Sequence, residues 1–132
     1  MKSHRVLLAD DHANFLTVVA NALDAEFDIV KSVGDGQSVV DEASKLDPDL
    51  IILDITMPAL NGIDAARQLR ETGFKGKIVF LTVHHDHDYV QAARAAGAQG
   101  YVVKNRLASD LIPAIRDVMN GAAFVSPALE TI

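Results

Sequence analysis

Five apolar runs, near residues 5–9, 27–33, 49–53, 77–83 and 99–103, are each followed by a segment whose apolar residues recur at helical spacing. A run of four or five aliphatic residues without polar alternation reads as a strand covered on both faces, the pattern of a parallel sheet. The helical segments carry matching stripes. Leu16, Val19, Ala20 and Leu23 form the first, and Val39, Val40, Ala43 and Leu46 the second, over 37–46. Ile63, Ala66 and Leu69 mark a third helix over 62–71, and Tyr89, Ala92, Ala93 and Ala96 a fourth over 87–96. Leu107, Leu111, Ala114, Ile115 and Val118 mark the last. Gly97 is placed to close the fourth helix, and Pro113 is read as lying at the start of the fifth, with Ser109 or Asp110 as N-cap. Parallel strands joined by single helices need right-handed crossovers, with helices on both faces. The expected class is therefore α/β, a doubly wound five-stranded parallel sheet.

Composition narrows what such a sheet can serve. The 132 residues suit one domain, since domains most often run about 100–150 residues. No apolar stretch reaches the roughly 18 residues of a membrane span, and no separate apolar leader precedes the first strand, so a soluble protein is expected. Cysteine is absent, which fits a reducing, cytoplasmic setting. Twelve basic against eighteen acidic side chains give a net charge of −6, which argues against direct nucleic-acid binding by this segment. Small residues crowd Asn120 to Pro127, so the organisation is read as one domain over 4–121, with 122–132 a tail or the start of a linker.

The chemistry lies where the runs end. Asp10 and Asp11 follow Arg5-Val6-Leu7-Leu8-Ala9, and Asp54 follows Leu50-Ile51-Ile52-Leu53, so all three fall at the C-terminal edge of the sheet, where open α/β sheets bind ligands. Carboxylates meeting there repel by roughly 4 kcal/mol per close pair at an effective dielectric near 20, so such a cluster is built to hold a cation. Mg²⁺ suits it, because that ion takes one or two carboxylates and keeps waters and phosphate oxygens. Asp54 is then the candidate nucleophile, able to accept a phosphoryl group as an aspartyl phosphate. Thr82, ending the fourth strand, offers a hydroxyl, and Lys104, ending the fifth, an ammonium for phosphoryl oxygens.

Each residue also has a plainer use. Asp10 or Asp11 can cap the first helix, Asp54 can serve the turn before Pro58, Thr82 can be an ordinary strand residue and Lys104 a solvated charge. What weighs against four separate coincidences is that strands one, three, four and five each place the required residue type at the same relative position.

Asp10-Asp11, Asp54-Ile55-Thr56-Met57-Pro58 followed by Asn61-Gly62, Leu81-Thr82 and Gly100-Tyr101-Val102-Val103-Lys104 together resemble the receiver domain of two-component response regulators, over about residues 4–121. The resemblance implies a flavodoxin-like (βα)5 fold with strand order 2-1-3-4-5, an order for which receivers are themselves a standard illustration. It implies Asp10 and Asp11 as the acidic pair for Mg²⁺, Asp54 as phosphoacceptor and third carboxylate, and the Thr56 carbonyl as a further metal ligand. Thr82 matches the switch hydroxyl, Tyr101 the switch aromatic and Lys104 the phosphoryl-binding lysine. Thr56 and His84 match positions that modulate the lifetime of the phosphoryl group. The implied partner is a sensor histidine kinase that donates from phosphohistidine, and a homodimer on phosphorylation is allowed. Beyond self-catalysed phosphorylation and dephosphorylation of Asp54, no enzymatic turnover is expected. Output is expected through the face formed by helix 4, strand 5 and helix 5, where Thr82 moves inward and Tyr101 fills the space it vacates.

Two positions depart from the family pattern. Asn105 follows Lys104 where a cis proline is common, and a non-proline cis bond costs about 2.5–4 kcal/mol, so the geometry of that loop does not carry over. Val83 stands where a small residue is usual, and its branched side chain is expected to narrow access to the phosphoryl group and slow hydrolysis. The cluster His84, His85, Asp86, His87 and Asp88 is read as a solvated loop with Asp86 capping the fourth helix, and His12 as lying at the rim of the acidic pocket.

Three other functions fit the residues less well. A receiver-like interaction module that ignores phosphate has no use for the complete acidic set. A phosphohydrolase resembling the haloacid dehalogenase group needs a second Asp where Thr56 stands, and flavin binding needs a loop richer in small residues and hydroxyls after the first strand. The stretch from Leu111 to Arg116, with Gly121 and Pro127-Ala128-Leu129, resembles the end of receivers that precede a LuxR-type helix-turn-helix output, so a role in transcription regulation through such a domain is expected.

Overall fold

The computed structural model describes residues 4–126. Its elements alternate along the chain: β1 (Arg5–Ala9), α1 (Ala13–Leu23), β2 (Asp28–Val33), α2 (Gly36–Leu46), β3 (Leu50–Leu53), α3 (Gly62–Glu71), β4 (Lys77–Thr82), α4 (His87–Ala95), β5 (Gly100–Val103), α5 (Leu107–Met119) and β6 (Phe124–Val125). The strands form a single parallel sheet in the order β2-β1-β3-β4-β5-β6.

The two faces of the sheet divide the apolar residues by strict alternation. Leu7, Ala9, Ile51, Leu53, Ile78, Phe80, Tyr101 and Val103 point to the side packed by α2, α3 and α4. Val6, Leu8, Leu50, Ile52, Val79, Leu81 and Val102 point to the side packed by α1 and α5. Unbroken apolar runs were needed because both phases of each central strand are covered. Each fully buried Leu, Ile or Val side chain contributes roughly 1.5–3 kcal/mol.

The helix ends follow local chemistry. Asp35 caps α2 by accepting from the Ser38 amide at 2.7 Å, and Asn61 caps α3 by accepting from the Asp64 amide at 2.9 Å. Gly97, with φ +99°, follows the end of α4 and donates its amide to the Arg94 carbonyl. Asp86 does occupy the N-cap position of α4, but its side chain makes no capping bond.

Two expectations are corrected. Helix α5 begins at Leu107, directly after a 3-10 turn over Lys104–Arg106, so Pro113 lies inside the helix rather than at its start. The helix tolerates it because Ser109, whose carbonyl loses its bond, and Pro113 both lie on the exposed side. The sheet has six strands rather than five. Phe124 donates its amide to the Gln99 carbonyl and Ser126 donates to Tyr101, so the first part of the expected tail adds a short edge strand to β5. The rest of that tail, 127–132, and the leading residues 1–3 lie outside the described residues. Among the described residues no helix is long and apolar enough to cross a membrane.

Candidate functional site

Two ladder bonds carry the sheet one residue past its strands. The Asp10 amide donates to the Val33 carbonyl, and the Asp54 amide donates to the Ala9 carbonyl, each at 3.1 Å. These bonds hold the two aspartates side by side at the C-terminal edge of β1 and β3. Both are nearly enclosed, Asp10 4% and Asp54 5% exposed, while Asp11 faces solvent.

Lys104, at the end of β5, joins the two buried carboxylates. Its Nζ lies 2.7 Å from Asp10 Oδ2 and 2.9 Å from Asp54 Oδ2. The other oxygen of Asp54 accepts from the Ile55 amide at 2.6 Å, and the other oxygen of Asp10 accepts from the His12 amide at 2.9 Å. Burial works to lower the pKa of the Lys104 ammonium, but its bonds to Asp10 and Asp54 outweigh that and hold it above the ordinary lysine value. It is a fixed cation between two anions that would otherwise repel.

The sequence placed Asp10, Asp11 and Asp54 around one cation. The structure brings Asp10 and Asp54 together through Lys104, and groups Asp10 and Asp11 with His12, whose ligand atoms all lie within 4.8 Å of one another. His12 Nδ1 is 3.2 Å from Asp10 Oδ1 and 3.0 Å from Asp11 Oδ1, so it touches both carboxylates from the exposed rim of the pocket. Three carboxylates against one ammonium leave this edge with excess negative charge, and the donors are hard oxygens. Both properties fit Mg²⁺.

The remaining candidates converge on the loop after β4. Thr82 is fully buried, and its hydroxyl oxygen accepts from the His84 amide at 3.4 Å. Tyr101 is 2% exposed and donates its hydroxyl to the His84 carbonyl at 2.8 Å, so the phenol stands in its inward rotamer. Burial, together with the charges of Asp54 and Asp86 and the neighbouring Tyr89, raises its pKa above the ordinary tyrosine value. Thr56 Oγ1 pairs with His84 Nε2 at 2.7 Å, and the His84 ring stacks on Tyr89 with centroids 4.3 Å apart. His85, His87 and Asp88 join no metal-competent group among the described residues. The Lys104–Asn105 peptide is trans, as is every other among the described residues.

Sequence reading missed two contributors. Gly62 donates its amide to the Ile55 carbonyl at 2.7 Å, and a Cβ built on it would lie 1.9 Å from the Asp54 carbonyl oxygen. Only a glycine lets α3 start this close to the nucleophile's backbone, and the Asn61-Gly62 pair was the available hint. Phe15, the third residue of α1, sits under the Lys104 ammonium with its ring centroid 4.3 Å from Nζ. It lies on the apolar stripe of α1, four residues before Val19, so its spacing marks it as a core residue and not as a neighbour of Lys104.

Known proteins resemble this chain in sequence and in fold. The family model for the response regulator receiver domain matches residues 6–116. The transcriptional regulatory protein DegU of Brevibacillus brevis is 35% identical over 125 residues, covering 93% of this chain and 53% of that protein. The transcriptional regulatory protein PdtaR of Mycobacterium tuberculosis (strain ATCC 25618 / H37Rv) is 45% identical over 112 residues, covering 84% of this chain and 54% of that protein. The chain thus spans about half the length of these curated relatives. A crystal structure of a LuxR-family two-component response regulator from Aurantimonas sp. SI85-9A1 superposes with a TM-score of 0.93 at 26% identity, covering 98% of this chain and 94% of that one.

Proposed function

The chain belongs to the response regulator receiver domain family, and on that premise we propose that it is a phosphoacceptor switch that takes a phosphoryl group from a sensor kinase phosphohistidine onto Asp54. The observation that carries this reading is the bridge from Lys104 to Asp10 and Asp54, which sets a nucleophile, a fixed cation and an acidic neighbour within two short bonds of each other.

In the transfer, Asp54 Oδ2 attacks phosphorus, the P–N bond of the donor breaks, and the imidazole keeps the electron pair and takes a proton. Asp10, Asp11, Asp54 and the Thr56 carbonyl are the residues that would hold Mg²⁺, which when bound neutralises charge developing on the phosphoryl oxygens. Lys104 then follows the new oxygens while staying paired with Asp10. The Thr82 hydroxyl is drawn toward the phosphoryl group, and the inward Tyr101 rotamer is the one that accompanies it. The face of α4, β5 and α5 changes with these two side chains and reports the charge at Asp54. The domain turns over no external metabolite. Its output is transcription regulation through a LuxR-type DNA-binding domain, with a homodimer as the form that phosphorylation favours.

Intact-mass measurement after treatment with acetyl phosphate and Mg²⁺ tests the reading. Wild type is expected to gain one phosphoryl mass, and both Asp54→Asn and a metal-chelated wild type to gain none. An unlabelled wild type would leave only a phosphate-independent interaction module.

A further inference from the structure

Lys104 has three N–H bonds, and its ammonium meets two carboxylates and an aromatic ring. Two point at Asp10 Oδ2 and Asp54 Oδ2. The face of Phe15 lies against the same ammonium, its centroid 4.3 Å from Nζ, well inside the roughly 6 Å over which a ring quadrupole attracts an ammonium. Beneath the ring, between Leu8, Asp10 and Leu53, the remaining space is about 10 Å³, barely enough for one water. The ammonium, on a side chain 13% exposed, is therefore held by two carboxylates and an aromatic wall.

We propose that Phe15 is a positioning residue for phosphoryl transfer: the face of its ring holds the Lys104 ammonium at the height of the Asp54 oxygens and keeps water from its third N–H. The proposal rests on the reading of Lys104 as the phosphoryl-binding group. An ammonium on a flexible four-carbon stem has many rotamers, and most of them lead into solvent. When Asp54 gains a phosphoryl group, the acceptor for Lys104 moves outward, and the bond to Asp54 Oδ2 must be exchanged for one to a phosphoryl oxygen. Asp10 and the ring stay in place through that exchange. They restrict the lysine to a short swing between ground state and transition state rather than a search from solution. The face of α1 serves the reaction through a side chain that touches neither phosphorus nor metal.

The test separates ring electronics from packing. Phe15→Leu keeps apolar bulk without a quadrupole, Phe15→Trp keeps an aromatic face, and 4-fluoro-, 3,5-difluoro- and 3,4,5-trifluorophenylalanine at position 15 keep the shape while emptying the face of negative charge. Labelling rates with acetyl phosphate and Mg²⁺ are expected to fall stepwise with fluorination and by about 2- to 30-fold in Phe15→Leu, with Phe15→Trp restoring most of the rate. A purely structural Phe15 would leave the fluorinated series flat. Urea unfolding of Phe15→Leu, Lys104→Met and the double variant, with no donor present, should show non-additive midpoint shifts. If wild type is labelled and the fluorinated and leucine variants match it, the proposal falls while the phosphoacceptor reading stands. If wild type takes no phosphoryl group, the phosphoacceptor reading falls and takes this catalytic use of Phe15 with it, and additive midpoints would then also remove the ring's hold on the ammonium.

Discussion

The Tyr101 hydroxyl donates to the His84 carbonyl at 2.8 Å, tying the middle of β5 to the loop that follows Thr82. Because the same residue's amide donates to the Thr82 hydroxyl, His84 links the two expected switch side chains through its backbone alone. Tyr101→Phe removes the bond and keeps the ring, so it should lower stability in urea by about 0.5–1.5 kcal/mol. Tyr101→Ala opens a cavity beside Phe80 and should cost about 3–5 kcal/mol. Equal losses for the two variants would mean that the ring's packing is not what holds this region together.

Gly62 makes a sharper prediction. Its missing side chain would fall 1.9 Å from the Asp54 carbonyl oxygen and 3.0 Å from the Phe80 ring, and a backbone oxygen cannot step aside as a flexible side chain can. Gly62→Ala must push α3 away from the end of β3, at a cost of about 1–3 kcal/mol or more for overpacking. Thermal unfolding should register that loss, and labelling at Asp54 should slow because the displaced atom belongs to the nucleophile. An unchanged melting temperature would show that the helix can shift at no cost.

Much of this was legible because the physics is local. Continuous apolar runs fixed β1, β3, β4 and β5, and an Asp, Thr or Lys at the end of each named the site before any geometry was known. The missed features depend on contacts distant in sequence. Phe124 and Val125 form a strand through backbone bonds to Gln99 and Tyr101, with Ser126 fully buried beside β5 and accepting from the Val103 amide at 3.2 Å, and no two-residue stretch announces that. Pro113 lies inside α5 because the helix start is set by the 3-10 turn at Lys104, not by a capping side chain. The Phe15 contact with Lys104 joins α1 to the residue after β5, and helical spacing marks Phe15 only as a core residue.

Asp110 contributes a pH dependence on the acid side. Burial works to raise its pKa, but bonds from Arg106, Ser126 and Ser109 outweigh that and hold the carboxyl below the ordinary aspartate value. A group whose folded-state pKa is lowered contributes stability in full above its unfolded value, about 3.9, and loses it as the pH falls through the folded value. Asp110→Asn should therefore destabilise the protein by about 1–3 kcal/mol at neutral pH, and the gap to wild type should narrow only below about pH 4. Urea midpoints measured from pH 7 downward check this. A gap that narrowed already between pH 7 and 5 would have to come from another group.

The contact between Thr56 Oγ1 and His84 Nε2, at 2.7 Å, spans from the loop after β3 to the loop after β4, and Val83 beside it is 63% exposed. If these side chains screen the phosphoryl group from attacking water, weakening the screen must shorten the life of phosphorylated Asp54. Thr56→Val removes the hydrogen bond and leaves the His84 ring held only by its stacking on Tyr89. One such bond is worth about 0.5–1.5 kcal/mol, so the half-life of the phosphoprotein should fall by about 2- to 12-fold. Val83→Ala should act in the same direction by removing branched bulk without touching the hydrogen bond, and the double variant should exceed either single change. Decay of the phosphorylated mass after removal of acetyl phosphate measures all three. A half-life that lengthens in either single variant would show that these residues assist hydrolysis instead of obstructing it.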